Sequence, residues 1–147
     1  MGYKTILHPS DGSPAAALAT PHAVEVARIA GARLIGLYVS DTHLMFQMGI
    51  HHAEAEHEIA TEAHLVLVAM AAAAAAAGVA FESIVTSGPP AVRILEVARD
   101  QQADLIVVGS HGGGALAHLL MGSVSERLLR ESTLPVLVVP WRSRSVS

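Results

Sequence analysis

The chain reads as an α/β protein: a single-domain, open, five-stranded parallel sheet in the order 3-2-1-4-5, Rossmann-like or flavodoxin-like, with helices on both faces. Three observations carry that reading. Five short apolar runs alternate strictly with four helical segments. The runs are apolar throughout, as in strands covered on both faces, which belong to parallel sheets. Right-handed crossovers leave few strand orders, and 3-2-1-4-5 puts a switch point between the first and fourth strands. At 147 residues the chain is one domain, able to bury about 70% of its unfolded surface.

Tyr3–His8 is the first strand, and a helix follows from about Ser13 to Ala30. Arg33–Val39 is the second strand. The loop Asp41–Ile50, rich in large apolar residues from Leu44 onward, leads into a long helix from about His51 to Ala77. The run Ala71–Ala77 reads as a helix end packed closely on the sheet, because alanine combines high helix propensity with little bulk. Val79–Thr86 is the third strand and Pro89–Gln102 the third helix, with proline well placed in its first turn. Leu105–Val108 is the fourth strand, Ser123–Arg130 lies in the last helix, and Pro135–Val139 is the fifth strand. Residues 1–140 form the domain, and 141–147 are read as a frayed, flexible tail.

Composition narrows the function. A net charge of −4 opposes a nucleic-acid partner, since binding a phosphate backbone needs a basic field. The aromatics Tyr3, Tyr38, Phe46, Phe81 and Trp141 are scattered and form no stacking platform. No apolar run reaches the roughly 20 residues of a membrane span, and the first strand follows the N-terminus directly, leaving no room for a signal peptide. Without cysteine there is no disulfide or thiolate metal site, and the expected location is cytoplasmic.

After the fourth apolar run comes the pattern G-x2-G-x9-G-S, formed by Gly109, Gly112, Gly122 and Ser123. Glycines there are expected to turn with positive φ and to approach a ligand with no Cβ in the way. Gly122-Ser123 opens a helix whose unpaired N–H groups form an anion site. Lys4 is the only lysine and no P-loop string exists, so a bound phosphate must be met by backbone dipoles, arginine or a metal. The switch point brings this pattern opposite His8-Pro9-Ser10-Asp11 at the end of the first strand.

These residues resemble the universal stress protein family, in its ATP-binding branch. The resemblance rests on Gly109-x2-Gly112-x9-Gly122-Ser123, the early Pro9-Ser10-Asp11-Gly12-Ser13 and the closing Leu134-Pro135-Val136-Leu137-Val138-Val139-Pro140, and it covers residues 3 to 140. It implies an ATP site (or ADP or AMP) with Asp11 beside the nucleotide and Pro9 and Ser10 lining its adenosine side. Val39 would contact adenine. Val108, Gly109, His111 and Gly112 would wrap the ribose and phosphates. Gly122, Ser123, Val124 and Ser125 would offer N–H and hydroxyl donors to the phosphates. A carboxylate at Asp11 tolerates a triphosphate only across a divalent cation or a ribose hydroxyl, so Mg²⁺ or Mn²⁺ is expected to arrive with the nucleotide.

Plainer roles stand beside these. Ser123-Val124-Ser125-Glu126 fits a capping box with Ser123 as the cap, and Asp11 fits a turn or N-cap. His111-Gly112-Gly113-Gly114 copies an esterase oxyanion string but lacks the G-x-S-x-G elbow. Gly112-x-Gly114-x2-Ala117 copies a dinucleotide fingerprint in the wrong strand context. His51, His52, His57 and His64 lie among glutamates on the long helix. They read as a solvated face with pairs such as His52/Glu56, or else as a zinc, nickel or pH-sensitive patch. The loop Leu44–Ile50 reads as packing onto the sheet, a flap over adenine or a contact for another chain.

No catalytic constellation stands out. Arg127 and Arg130 are near the glycines in sequence, but their helical spacing aims neither at the phosphates, and turnover would be at most a weak ATPase activity. The fifth strand is an apolar edge over Val136–Val139, and natural sheets cover such edges, here by pairing across a two-fold axis into a homodimer. The family likeness implies the same dimer and a nucleotide-dependent regulator or sensor in the stress response, with an unidentified downstream protein partner. The alternatives are a slow hydrolase on the same pocket, or an interaction module whose pocket stays empty.

Overall fold

The computed structural model describes residues 2–41, 49, 52–110 and 121–141. The chain runs β1 (Thr5–Ser10), α1 (Pro14–Ala30), β2 (Arg33–Ser40), α2 (His52–Ala76), β3 (Phe81–Ser87), α3 (Pro90–Asp100), β4 (Leu105–Gly109), α4 (Ser123–Glu131) and β5 (Val136–Val139). The five strands form one sheet in the order β3-β2-β1-β4-β5, with every pair parallel. This is the architecture expected from the sequence. Element ends shift by a residue or two, and β1 continues through Pro9, where the sequence reading ended the strand at His8.

Alternate strand residues face opposite layers. Ile6, Leu34, Leu105 and Val107 bury against Ala19, Ala23 and Ala27 of α1 and Ala74 of α2. Leu7, Ile35, Leu37, Ile106 and Val108 bury against Ala91, Ile94 and Ala98 of α3 and Leu128 of α4. The helix faces toward the sheet are built largely of alanine, so backbones sit close to the strands. Ala74, inside the alanine run, is fully buried. Helix α1 starts with the Ser13 hydroxyl accepting from the Ala16 N–H at 3.2 Å and Pro14 in its first turn, and ends at Gly31 with φ 66°. It continues through Pro21, whose side lies at the exposed surface.

Helix α2 corrects one expectation. Its stretch Glu56–Ala76, of mean hydropathy 1.7, is long and apolar enough by length and composition to cross a membrane. The sequence reading counted unbroken apolar runs and so passed over a window interrupted by Glu62. In the fold one side of this helix covers the sheet: Ala63, Leu67 and Met70 bury with Tyr38 of β2, and Ala74 joins the neighbouring core.

Met70 and the Phe81 ring of β3 fill the space above Gly36 of β2, where an added Cβ would stand 2.7 Å from the Met70 sulfur and 2.7 Å from the ring. Overpacking of this kind costs about 1–3 kcal/mol. Gly36→Ala is therefore expected to lower the free energy of unfolding by that amount, read as a lower urea midpoint with the slope unchanged. A midpoint equal to that of the parent chain would show that the layer has room to spare.

Candidate functional site

The sheet parts at its middle. β1 pairs with β2 from Thr5↔Arg33 to Ser10↔Tyr38, but with β4 only at Ile6↔Leu105 and Leu7↔Ile106. Beyond those two pairs β4 continues along β5 as far as Gly109↔Val139. A crevice therefore opens at the carboxyl ends of β1 and β4, where ligands of open α/β sheets bind.

Strand alternation explains the parting. The Thr5 carbonyl accepts from Asp104 and the Lys4 carbonyl from Arg33, so odd residues of β1 turn their backbone toward β4 and even ones toward β2. Pro9 falls on the β4 side, where it has no N–H to give. The carbonyl it would have met, Val107 O, is taken by the side chain of His8, with Nδ1 at 2.9 Å. The other ring nitrogen, Nε2, lies 2.8 Å from the Thr20 hydroxyl of α1. A carbonyl can only accept, so Nδ1 carries the proton and Nε2 accepts from Thr20. His8 is fully buried, and burial holds its imidazole below the ordinary histidine pKa.

On the β1 wall, Pro9 is buried, and the Ser10 hydroxyl accepts from the Gly12 N–H at 3.0 Å. Asp11 is exposed, with Oδ1 accepting from Ser13 N–H at 2.9 Å, the turn role also read from the sequence. Gly12 has φ +83°, and a Cβ there would collide with the Glu62 carboxylate of α2. Glu62 accepts from the buried Tyr38 hydroxyl; burial, this carboxylate and the charge of Asp11 all push Tyr38 well above the usual phenol range. The sequence carried no sign of this Asp11–Tyr38–Glu62 grouping, because residue 62 reaches the β1 end only through helix packing. Val39, buried in β2, stands one residue beyond the last β1–β2 pair.

On the β4 wall, the Val108 side chain belongs to the core facing α3 and α4, and its backbone faces β5, with which it pairs at Val138. Gly109 corrects an expectation. It is not among the positive-φ residues, and a Cβ on it would lie 2.6 Å from the Ala15 carbonyl oxygen of α1. The helix packed beside it leaves no room for a Cβ there. Gly122 likewise has φ −81° and serves as the N-cap of α4 without a side-chain cap. The expected Ser123–Glu126 capping box is therefore absent: the helix starts one residue earlier than that motif requires, and Ser123 stands exposed in the first turn.

Ser110 was not singled out by the glycine spacing, yet it gathers this wall. Its carbonyl accepts from Gly122 N–H and from the Ser125 hydroxyl at 2.8 Å. Its N–H donates to Val139, and its hydroxyl accepts from Trp141 N–H at 2.7 Å. These bonds hold the start of α4 at the end of β4, so the first-turn N–H groups stand at the crevice rim. The Ser125 hydroxyl, expected at the phosphates, turns inward and is 3% exposed. Ser125 and Val124 retain their backbone N–H groups for the rim.

His111 and Gly112 lie outside the described residues, as do the esterase-like and dinucleotide-like strings beginning there, the loop at 42–48 with Ile50, His51 and the tail at 142–147. Of the histidine-rich helix, His57 and His64 are exposed, and among the described residues no group of three or more His, Asp or Glu is placed to hold a metal. Lys4 precedes β1 at the amino end of that central strand, opposite the crevice, its N–H bonded to Asp104 at 2.8 Å.

A model of the universal stress protein family matches residues 2–140, which contain the entire sheet. Universal stress protein MJ0531 of Methanocaldococcus jannaschii is 34% identical over 142 residues, covering 93% of this chain and 82% of that one. The solved structure of protein MJ0577 has a TM-score of 0.87 at 29% identity, covering 98% of this chain and all of that one; MJ0577 is a universal stress protein of the same organism. A universal stress protein solved in complex with cAMP has a TM-score of 0.72 at 27% identity, covering 95% of this chain and 98% of that one. Full-length agreement in sequence and in strand order leaves one conclusion: the chain belongs to the universal stress protein family.

Proposed function

We propose that the chain holds an adenine nucleotide, ATP foremost, in the β1–β4 crevice and acts as a nucleotide-dependent regulator or sensor in the cytoplasm. One observation carries the reading: the start of α4 is fixed at the open end of β4 by Ser110, presenting unpaired N–H groups where the sheet parts. Such a terminus attracts anions by about 0.3–1 kcal/mol when exposed and up to about 2 when partly buried. The relative solved with cAMP supports the ligand class.

In this reading the N–H groups of Ser123, Val124 and Ser125, with the exposed Ser123 hydroxyl, meet the phosphates. Asp11 faces the ribose or a cation, Pro9 and Ser10 line the adenosine side, and Val39 meets the base. Val108, Gly109, His111, Gly112 and Gly122 wrap the ribose and phosphates. The Asp11 carboxylate, with Glu62 nearby, suits a Mg²⁺ or Mn²⁺ held chiefly by phosphates and water. That ion would screen the carboxylates from the phosphates. Holding is favoured over turnover because Arg127, the nearer arginine to Ser123 in sequence, is paired with Glu131.

A homodimer through β5 completes the proposal. β5 is the last strand in the sheet order, and Leu137 on it is 38% exposed. Pairing two such edges covers their open backbone groups.

Three outcomes follow. Millimolar ATP raises the melting temperature, as any ligand of the native state must, and Ser123→Ala weakens ATP by about 1.5–3 kcal/mol in calorimetric titration, the worth of a hydrogen bond to a charged group. An unchanged melting temperature would favour an interaction module with an unused pocket. Purified protein mixed with excess ATP releases no phosphate beyond one equivalent; sustained release lost in Asp11→Asn would identify a slow hydrolase instead. Leu137→Lys shifts the sedimentation profile from dimer to monomer, and a parent chain already monomeric at micromolar concentration would rule the β5 dimer out.

A further inference from the structure

The His8 contacts exceed what a core residue needs. It sits where β1 and β4 part, and its ring joins β1, β4 and α1 at the base of the crevice. Ordinary ladder bonds end at Leu7↔Ile106, and the next donor on that side of β1 would have been Pro9. Without a substitute, the Val107 carbonyl would be buried and unpaired, at a cost of about 1–3 kcal/mol. Water entering to satisfy it would spread the strands. The imidazole reaches further than a backbone N–H, so it closes the rung while leaving Pro9-Ser10 and Val108-Gly109 apart. Thr20 then fixes the ring from the α1 side, the helix whose Ala15 carbonyl lies against Gly109.

We propose that His8 is the positioning residue of the crevice: its neutral imidazole gives Val107 the hydrogen bond Pro9 cannot give and, held by Thr20, sets the gap between the ends of β1 and β4. The inference rests on the nucleotide-holding reading for its ligand, and on the geometry alone for the brace.

The brace works with a neutral ring. Around it, β4 contributes no ionisable side chain, β2 contributes Tyr38, already bonded to Glu62 of α2, and β1 leads to Asp11. On α1 the nearest in sequence to Thr20 are His22 and Glu25, both exposed. Among the described residues no carboxylate hydrogen-bonds to His8 to offset a positive charge buried there. The sign follows. Unfolded histidine takes up a proton below about pH 6.5, whereas folded His8, with its lowered pKa, resists it. Its contribution to stability is complete above that pH and is lost as the pH falls.

Three proteins test the proposal: the parent, His8→Asn, whose amide nitrogen occupies nearly the place of Nδ1, and His8→Leu, which fills the space without a donor. ATP affinity is measured at neutral pH under conditions where each protein is folded by circular dichroism. The parent and His8→Asn are expected to agree within about threefold, and His8→Leu to bind about tenfold more weakly, the equivalent of about 1.4 kcal/mol. A merely stabilising His8 would lower the melting temperature of His8→Leu and leave its ATP affinity unchanged, which would overturn the proposal.

Between about pH 7.5 and pH 5.5 the unfolding equilibrium of the parent should shift about tenfold more than that of His8→Asn. That difference removes the common contribution of His111, His118 and the α2 histidines. Equal shifts in the two proteins would overturn the neutral brace. If none of the three binds ATP at any pH, the nucleotide reading fails, and with it the ligand part of the proposal. The brace then stands on nitrogen-resolved NMR of the His8 ring: a proton on Nδ1 alone supports it, and a proton on Nε2 overturns it.

Discussion

In a parallel sheet each strand normally exchanges hydrogen bonds with its neighbour along the full overlap, and here the central pair does not. β1 and β4 share two residue pairs, after which β1 follows β2 and β4 follows β5. The break coincides with Pro9, the one residue type that cannot supply the next rung. The rest of the carboxyl end is arranged around that gap. His8 satisfies the carbonyl that Pro9 leaves, α1 leans across to touch β4 at Gly109, and Ser110 draws the start of α4 to the far wall. Each device removes an unpaired backbone group or permits a close approach. Together they keep open a space that backbone pairing would otherwise close.

The alanine-rich helices serve the same geometry. Ala15 and Ala16 at the start of α1 bury against the sheet with no bulk to hold the helix away. Gly109 then needs to lack a Cβ because the Ala15 carbonyl occupies that space. A glycine in a phosphate-loop pattern can thus be demanded by the scaffold. Its substitution would disturb the site by displacing a helix.

The strands, the order of the sheet and the position of the crevice were legible because they follow from apolar runs, helix propensity and the handedness of crossovers. The ends of elements were less so. The first strand was expected to end at His8, because the sequence does not show which neighbour Pro9 faces; β2 on the other side carries the strand on to Ser10. The S-x-x-E string looked like a capping box, but Gly122 already occupies the cap with the backbone angles that position requires. Ser110, Tyr38 and Glu62 were invisible for a different reason. Their roles depend on contacts between residues distant in sequence, and no local period or spacing encodes such a meeting. His8 was read as the end of a strand and nothing more, because the tie to Thr20 exists only once α1 has folded back over β1.

The sole lysine is at the amino end of the central strand, away from the crevice, and the α4 arginine nearest Ser123 is paired with Glu131. On the proposed reading, then, phosphates are met by neutral donors: backbone N–H groups and a serine hydroxyl. This changes what the scaffold must do. The attraction of a full charge falls slowly with distance and tolerates misplacement, whereas hydrogen bonds weaken steeply once length or angle departs from the optimum. A lysine-based site can accommodate a loose crevice. A site of neutral donors cannot, and its affinity depends on how firmly the two walls are held apart. On the same reading the wall spacing rests on a buried histidine with both ring nitrogens engaged, and on a serine whose backbone and hydroxyl bind Gly122, Ser125, Val139 and Trp141. Binding strength in this fold is therefore set as much by the rungs below the crevice as by the groups that line it.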